Sequence, residues 1–157
     1  MARVQVIVDI DAPQSKVWHL ITDAKEMEFW CPSIRDLAYE PAGTLQVGTI
    51  RKARIEVNGK IHALHTEVTH CEAPNFFSEV PCGGTADWLG RLNSARLTYR
   101  LEAEHESQTT LIFTGEYELT GLWAQFFDKL IGESMVRAAL KQNLERLKTY
   151  AETGRVV

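Results

Sequence analysis

Arg51, His62 and Thr66 are the residues whose types and spacing could do chemistry together. Asn58-Gly59 favours a two-residue type I′ turn, because both central positions of that turn need positive φ. The turn joins the runs Val47 to Val57 and Lys60 to Cys71, which both alternate. It pairs Val57 with Lys60, and therefore Ile55 with His62, Ala53 with Leu64 and Arg51 with Thr66. One face then carries Ile55, Leu64 and Val68 with Arg51, His62 and Thr66 set among them. The other face, with Lys52, Arg54, Glu56, His65 and Glu67, belongs in water. A guanidinium, an imidazole and a hydroxyl on an apolar face could orient the polar end of an apolar ligand, or move its protons. Two plainer readings stay open. Arg51 could cover only its alkyl stem and keep its head at a rim, and His62 could be a satisfied core histidine. A buried guanidinium is costly alone, so a partner is expected.

The elements that must position this face follow from periodicity. Val4, Val6, Val8 and Ile10 alternate with polar residues and predict a first strand. Asp11-Ala12-Pro13-Gln14 reads as a helix start with Asp11 as cap, and Val17, Trp18, Leu20 and Ile21 form the buried side of that short helix. Asp23 caps a second, running to about Phe29. Six more strands follow: Leu37 to Glu40, Val47 to Val57, Lys60 to Cys71, Phe76 to Val80, Ala95 to Glu104 and Thr110 to Thr120. In the last two, Leu97, Tyr99, Leu101, Phe113, Gly115 and Tyr117 share one face.

Thr120 to Thr153 is the one long helical pattern. Trp123, Phe126, Phe127, Leu130 and Ile131 form a first apolar stripe, and Val136, Leu140, Leu144, Leu147 and Ala151 a second. The stripes are offset at Gly132-Glu133-Ser134, which fits either a bent helix or a straight one with a broad stripe. Strands grouped apart from helices imply an α+β layer architecture, an antiparallel sheet covered on one face.

At 157 residues the chain is expected to form one domain with a real core. The net charge of −4, without a dense basic block, argues against nucleic acid as a partner. No apolar run reaches membrane-spanning length, and the N-terminus lacks a signal-peptide core. Cys31, Cys71 and Cys82 have no metal-ligand spacing and are expected as free thiols in the cytoplasm. His65 lies on the opposite face from His62 and His70, so neither a metal site nor a cofactor is expected.

The order of elements, with Ile10-x-Ala12-Pro13 leading into Val17-Trp18, Val47-Gly48-Thr49, and the strand end Val68 to Ala73-Pro74, resembles the START-like, or SRPBCC, helix-grip superfamily. That group includes the polyketide cyclase/dehydrase and lipid-transport proteins. The resemblance implies a curved seven-stranded antiparallel sheet around a long C-terminal helix, with a cavity between them closed at one end by the two short helices. It carries no universal catalytic set.

The expected cavity is lined by Arg51, Ile55, His62, Leu64, Thr66, Tyr99, Phe113, Tyr117, Phe126 and Leu130, with Trp88 either a lid or a loop residue. The leading expectation is a non-catalytic carrier or sensor of a small hydrophobic molecule: a lipid, a polyketide-like aromatic or a quinone. An aromatase/cyclase or dehydrase using the same cavity is the alternative. A protein-interaction module with a filled core is the third reading.

Overall fold

The structure is a computed structural model and describes residues 2–57, 59–85, 92–119 and 133–155. Trp88, Thr120, Gly132 and the whole first stripe of the long helix, Phe126 and Leu130 included, lie outside the described residues. The chain runs β1 (Ala2–Ile10), α1 (Gln14–Thr22), α2 (Ala24–Trp30), β2 (Ile34–Glu40), β3 (Ile50–Val57), β4 (Lys60–Glu72), β5 (Phe76–Gly84), β6 (Leu92–His105) and β7 (Gln108–Leu119). The helix α3 (Glu133–Thr153) follows. All seven strands form one antiparallel sheet in the order β1-β7-β6-β5-β4-β3-β2. No helix among the described residues is long and apolar enough to cross a membrane.

The β3–β4 hairpin has the expected register, Val57 with Lys60 through Arg51 with Thr66. In β6 and β7, Leu97 faces Gly115 and Tyr99 faces Phe113, again as the alternation requires. The β5–β6 ladder is short, running only from Phe76/Arg100 to Glu79/Leu97 among the described residues.

The core lies between the sheet and its three helices. Val4, Val6, Val8 and Ile10 are buried on alternate positions of β1, against Leu144, Leu147 and Ala151 of α3 and Val17, Leu20 and Ile21 of α1. Each large aliphatic side chain so buried contributes about 2–3 kcal/mol. Trp18 is only half-buried and meets Phe77 edge-on, ring centroids 5.9 Å apart. Trp30 is buried and donates its indole N–H to the Leu20 carbonyl at 2.8 Å, locking α2 to α1.

Capping differs between the two short helices. Pro13, extended, is the N-cap of α1 and offers no side-chain bond, so Asp11 is too far upstream to reach the first-turn amides. Its own N–H instead donates to Glu152 of α3 at 2.9 Å, and the Gln14 amide donates to the Pro74 carbonyl and Asn75 Oδ1. Asp23 does cap α2, accepting from the N–H groups of Lys25 and Glu26, both at 3.0 Å. Asp23→Ala is expected to cost about 1 kcal/mol, read as a lower denaturant midpoint at unchanged slope.

Two strand boundaries move for local reasons. A bulge between Arg35 and Ala38, with Asp36 at φ 52°, hides the first half of β2 from a period-two pattern. Val47-Gly48-Thr49 is a turn rather than the start of β3. Gly48 has φ 90°, and Thr49 bonds Gln46 through both its N–H and its hydroxyl.

Candidate functional site

Between α3 and the concave face of the sheet lies a cavity of about 310 Å³. Val4, Leu97, Phe113 and Gly115 supply its sheet wall, Met27 and Trp30 its α2 side, and Leu140 and Leu144 its α3 side. Tyr99 and Tyr117 bring phenol groups to the wall, while Cys31, Ser33, Glu56 and Asn143 add polar atoms. Glu56 pairs with Arg35 at 2.8 Å. The aromatic wall is ordered by ring geometry. Tyr99 stacks on Phe77 at 4.7 Å and meets Phe113 edge-on at 4.8 Å. Burial, reinforced by the charge of Glu79, pushes the Tyr99 hydroxyl well above its ordinary pKa, with Arg51 partly opposing. It stays protonated at neutral pH and is available as a donor.

Immediately behind this wall is a polar cluster. Arg51 and Glu79 are each only 4% exposed and form an ion pair, Nη1 to Oε2, of 2.5 Å. The same carboxylate oxygen accepts the Thr66 hydroxyl at 3.0 Å. The other guanidinium terminus, Nη2, points at the Met27 sulfur, and the cation lies 5.4 Å from the Phe77 ring centroid and 5.6 Å from that of Tyr39. Burial, the largest influence, disfavours the Arg51 charge, but Glu79 together with the nearby Tyr39 and Tyr99 outweighs it, and the group is held cationic. Its Nε, also buried, has no hydrogen-bond partner among the described residues. Burial raises the Tyr39 pKa too, against the pull of Arg51, and its hydroxyl donates to the Thr22 carbonyl at 2.5 Å.

The residues singled out from sequence therefore fall into three groups. Ile55, Tyr99, Phe113 and Tyr117 come together on the cavity wall. Arg51 and Thr66 meet Glu79 in the cluster behind it. His62 and Leu64 are half-buried and in neither group. Sequence reasoning overlooked Glu79, the partner that Arg51 required. The signal was its parity with Phe77 in Phe76–Val80. Carrying parity across the β4–β5 turn fails because the ladder shifts register between Val68 and His70, just before the Val68–Glu79 pair.

A single curved antiparallel sheet, two short helices after the first strand and a C-terminal helix over an apolar cavity define a helix-grip protein. The chain belongs to the polyketide cyclase/dehydrase and lipid transport family, whose model matches residues 1–152. The fold is similar to that of ginseng major latex-like protein 151 from Panax ginseng, with a TM-score of 0.76, 10% identity, and 96% and 97% of the two chains covered. Protein TTHA0849 from Thermus thermophilus aligns with a TM-score of 0.69 at 19% identity, covering 96% of this chain and 97% of that one. Norcoclaurine synthase from Thalictrum flavum, solved with dopamine and hydroxybenzaldehyde, aligns at 0.67 and 14% identity over 94% and 84%. No curated protein matches the sequence significantly.

Proposed function

We propose that the protein binds a small, largely hydrophobic molecule between sheet and C-terminal helix, as a carrier or sensor. The observation that carries this reading is the cavity of about 310 Å³ with a mainly apolar wall, at the small end of the roughly 300–1,000 Å³ typical of ligand sites. Its aliphatic and aromatic lining would supply most of the affinity. Removing ~250 Å² of apolar ligand surface from water is worth about 6 kcal/mol before the cost of immobilising the ligand is subtracted. The phenol groups of Tyr99 and Tyr117 would orient the ligand's polar atoms. The thiols of Cys31, Cys71 and Cys82 are unpaired, in keeping with a reducing, cytoplasmic setting.

A cyclase or dehydrase reading draws on Tyr99, a protonated phenol on an aromatic wall that would donate to a carbonyl of a folded polyketone chain. Native mass spectrometry of protein purified from its own host decides between them. A co-purified lipid or quinone recovered unchanged supports the carrier. A polyketide consumed on incubation supports the enzyme. A protein that carries nothing and takes up no neutral aromatic probe at millimolar concentration overturns both.

A further inference from the structure

The charged pair stands one side chain away from the cavity. Met27 lines the cavity and touches the Arg51 guanidinium. Tyr99 lines it too and stacks on Phe77, whose ring lies 5.4 Å from the same cation. An unopposed guanidinium at that depth, where little water screens it, would draw carboxylates and sulfonates into the pocket. Glu79 cancels it, with one carboxylate oxygen that accepts from both Arg51 and Thr66. Glu56 borders the cavity but is itself exposed, its carboxylate paired with Arg35. What the wall offers a ligand is the Tyr99 hydroxyl as a donor on a mainly apolar surface.

We propose that Glu79 is the residue that sets the ligand class: by neutralising Arg51 it makes the cavity a site for uncharged aromatic or alicyclic molecules bearing a hydrogen-bond acceptor, and against carboxylates of the same size. The inference rests on the binding reading above and adds the chemistry of the ligand. The Tyr99 phenol is protonated at neutral pH, as an ordinary tyrosine is, and can donate to a neutral carbonyl or ether oxygen. Glu79 does not touch the ligand in this account. It acts through the field of the cation it pairs with, so its removal should change selectivity between charged and uncharged ligands more than affinity for uncharged ones.

The test uses two probes of one skeleton, 2-naphthol and 2-naphthoate, titrated calorimetrically into the full chain at neutral pH. Wild type is expected to prefer the naphthol by at least about 10-fold. Glu79→Gln keeps the size and an acceptor oxygen but leaves the guanidinium charge uncancelled. It should shift the naphthol-to-naphthoate ratio toward naphthoate by about 10-fold or more. Equal binding of both probes by wild type, or an unchanged ratio in a folded Glu79→Gln protein, overturns the proposal. Should Glu79→Gln fail to fold, Arg51→Met/Glu79→Gln carries the test. With both charges gone, the ratio must stay within about threefold of wild type, and a larger shift overturns the proposal. Binding of the naphthol without charge selectivity sinks this inference and leaves the binding reading intact. Failure of wild type to bind either probe removes both.

Discussion

Replacing Glu79 with alanine is expected to lower the unfolding free energy by about 3–5 kcal/mol. The mutation leaves the Arg51 guanidinium, 4% exposed, with no carboxylate to balance it. It also takes the acceptor from the Thr66 hydroxyl, itself buried. For a domain of this size the loss corresponds to a melting temperature lower by roughly 10 °C or more. Removing both charges together behaves differently. Arg51→Met/Glu79→Leu swaps a desolvated pair for apolar side chains in a pocket already walled by Met27, Phe77 and Tyr39. It is expected to be near neutral or more stable than wild type, because the pair's attraction barely exceeds the cost of burying two ions. The exposed pair Arg54–Asp36, at 3.3 Å, supplies the control, and Asp36→Asn should leave the denaturant midpoint in place. Chemical denaturation of the four proteins checks the set. A Glu79→Ala midpoint close to wild type would mean that water reaches Arg51 and that the cluster is not sealed.

The same cluster shows how far sequence reasoning reached. Asn58-Gly59 and two alternating runs were enough to pair Arg51 with Thr66 and to turn both inward, because a two-residue turn leaves no freedom of register. The overall order of strands and helices was legible for a similar reason, since period two and period 3.6 cannot be confused over runs this long. Glu79 was not legible. Parity propagates along a strand and across a tight turn, but one register shift, between Val68 and His70, lies between the β4–β5 turn and Glu79, and it reverses which side a residue faces. The bulge in β2 hid Ile34, which lines the cavity, in the same way. Asp11 was misjudged as a cap because the pattern Asp11 to Gln14 satisfies the spacing while the chain enters the helix two residues later, at Pro13. A cavity's outline depends on distances between elements far apart in sequence. Hence Met27, Trp30 and Leu140 are absent from the expected lining, although Met27 and Leu140 lie in expected helices and Trp30 just past the expected end of one.

Filling the cavity from Gly115 should abolish ligand uptake while the protein stays folded. Gly115 is buried in the middle of β7, opposite Leu97 and Val4, and lines the cavity wall. A methyl group added there would meet the Leu97 and Phe113 side chains at 3.6 and 3.7 Å, ordinary contact distances. Gly115→Ala is therefore accommodated without strain, and the gain in strand propensity offsets any loss, leaving stability within about 1 kcal/mol of wild type. Gly115→Leu sends a branched chain on into the cavity. Because the space exists, the cost of overpacking should fall at or below the low end of the usual ~1–3 kcal/mol. Ala53, on the same face of the sheet, is not part of the wall among the described residues, so Gly115 is the position that tests the cavity. Affinity for 2-naphthol is expected to fall modestly in the alanine variant and by at least about 10-fold in the leucine variant, since the apolar contact area that supplies the affinity is lost. Calorimetric titration beside a thermal melt separates occupancy from unfolding. A Gly115→Leu protein that melts like wild type and still binds the naphthol with wild-type affinity would place the ligand somewhere other than between sheet and helix.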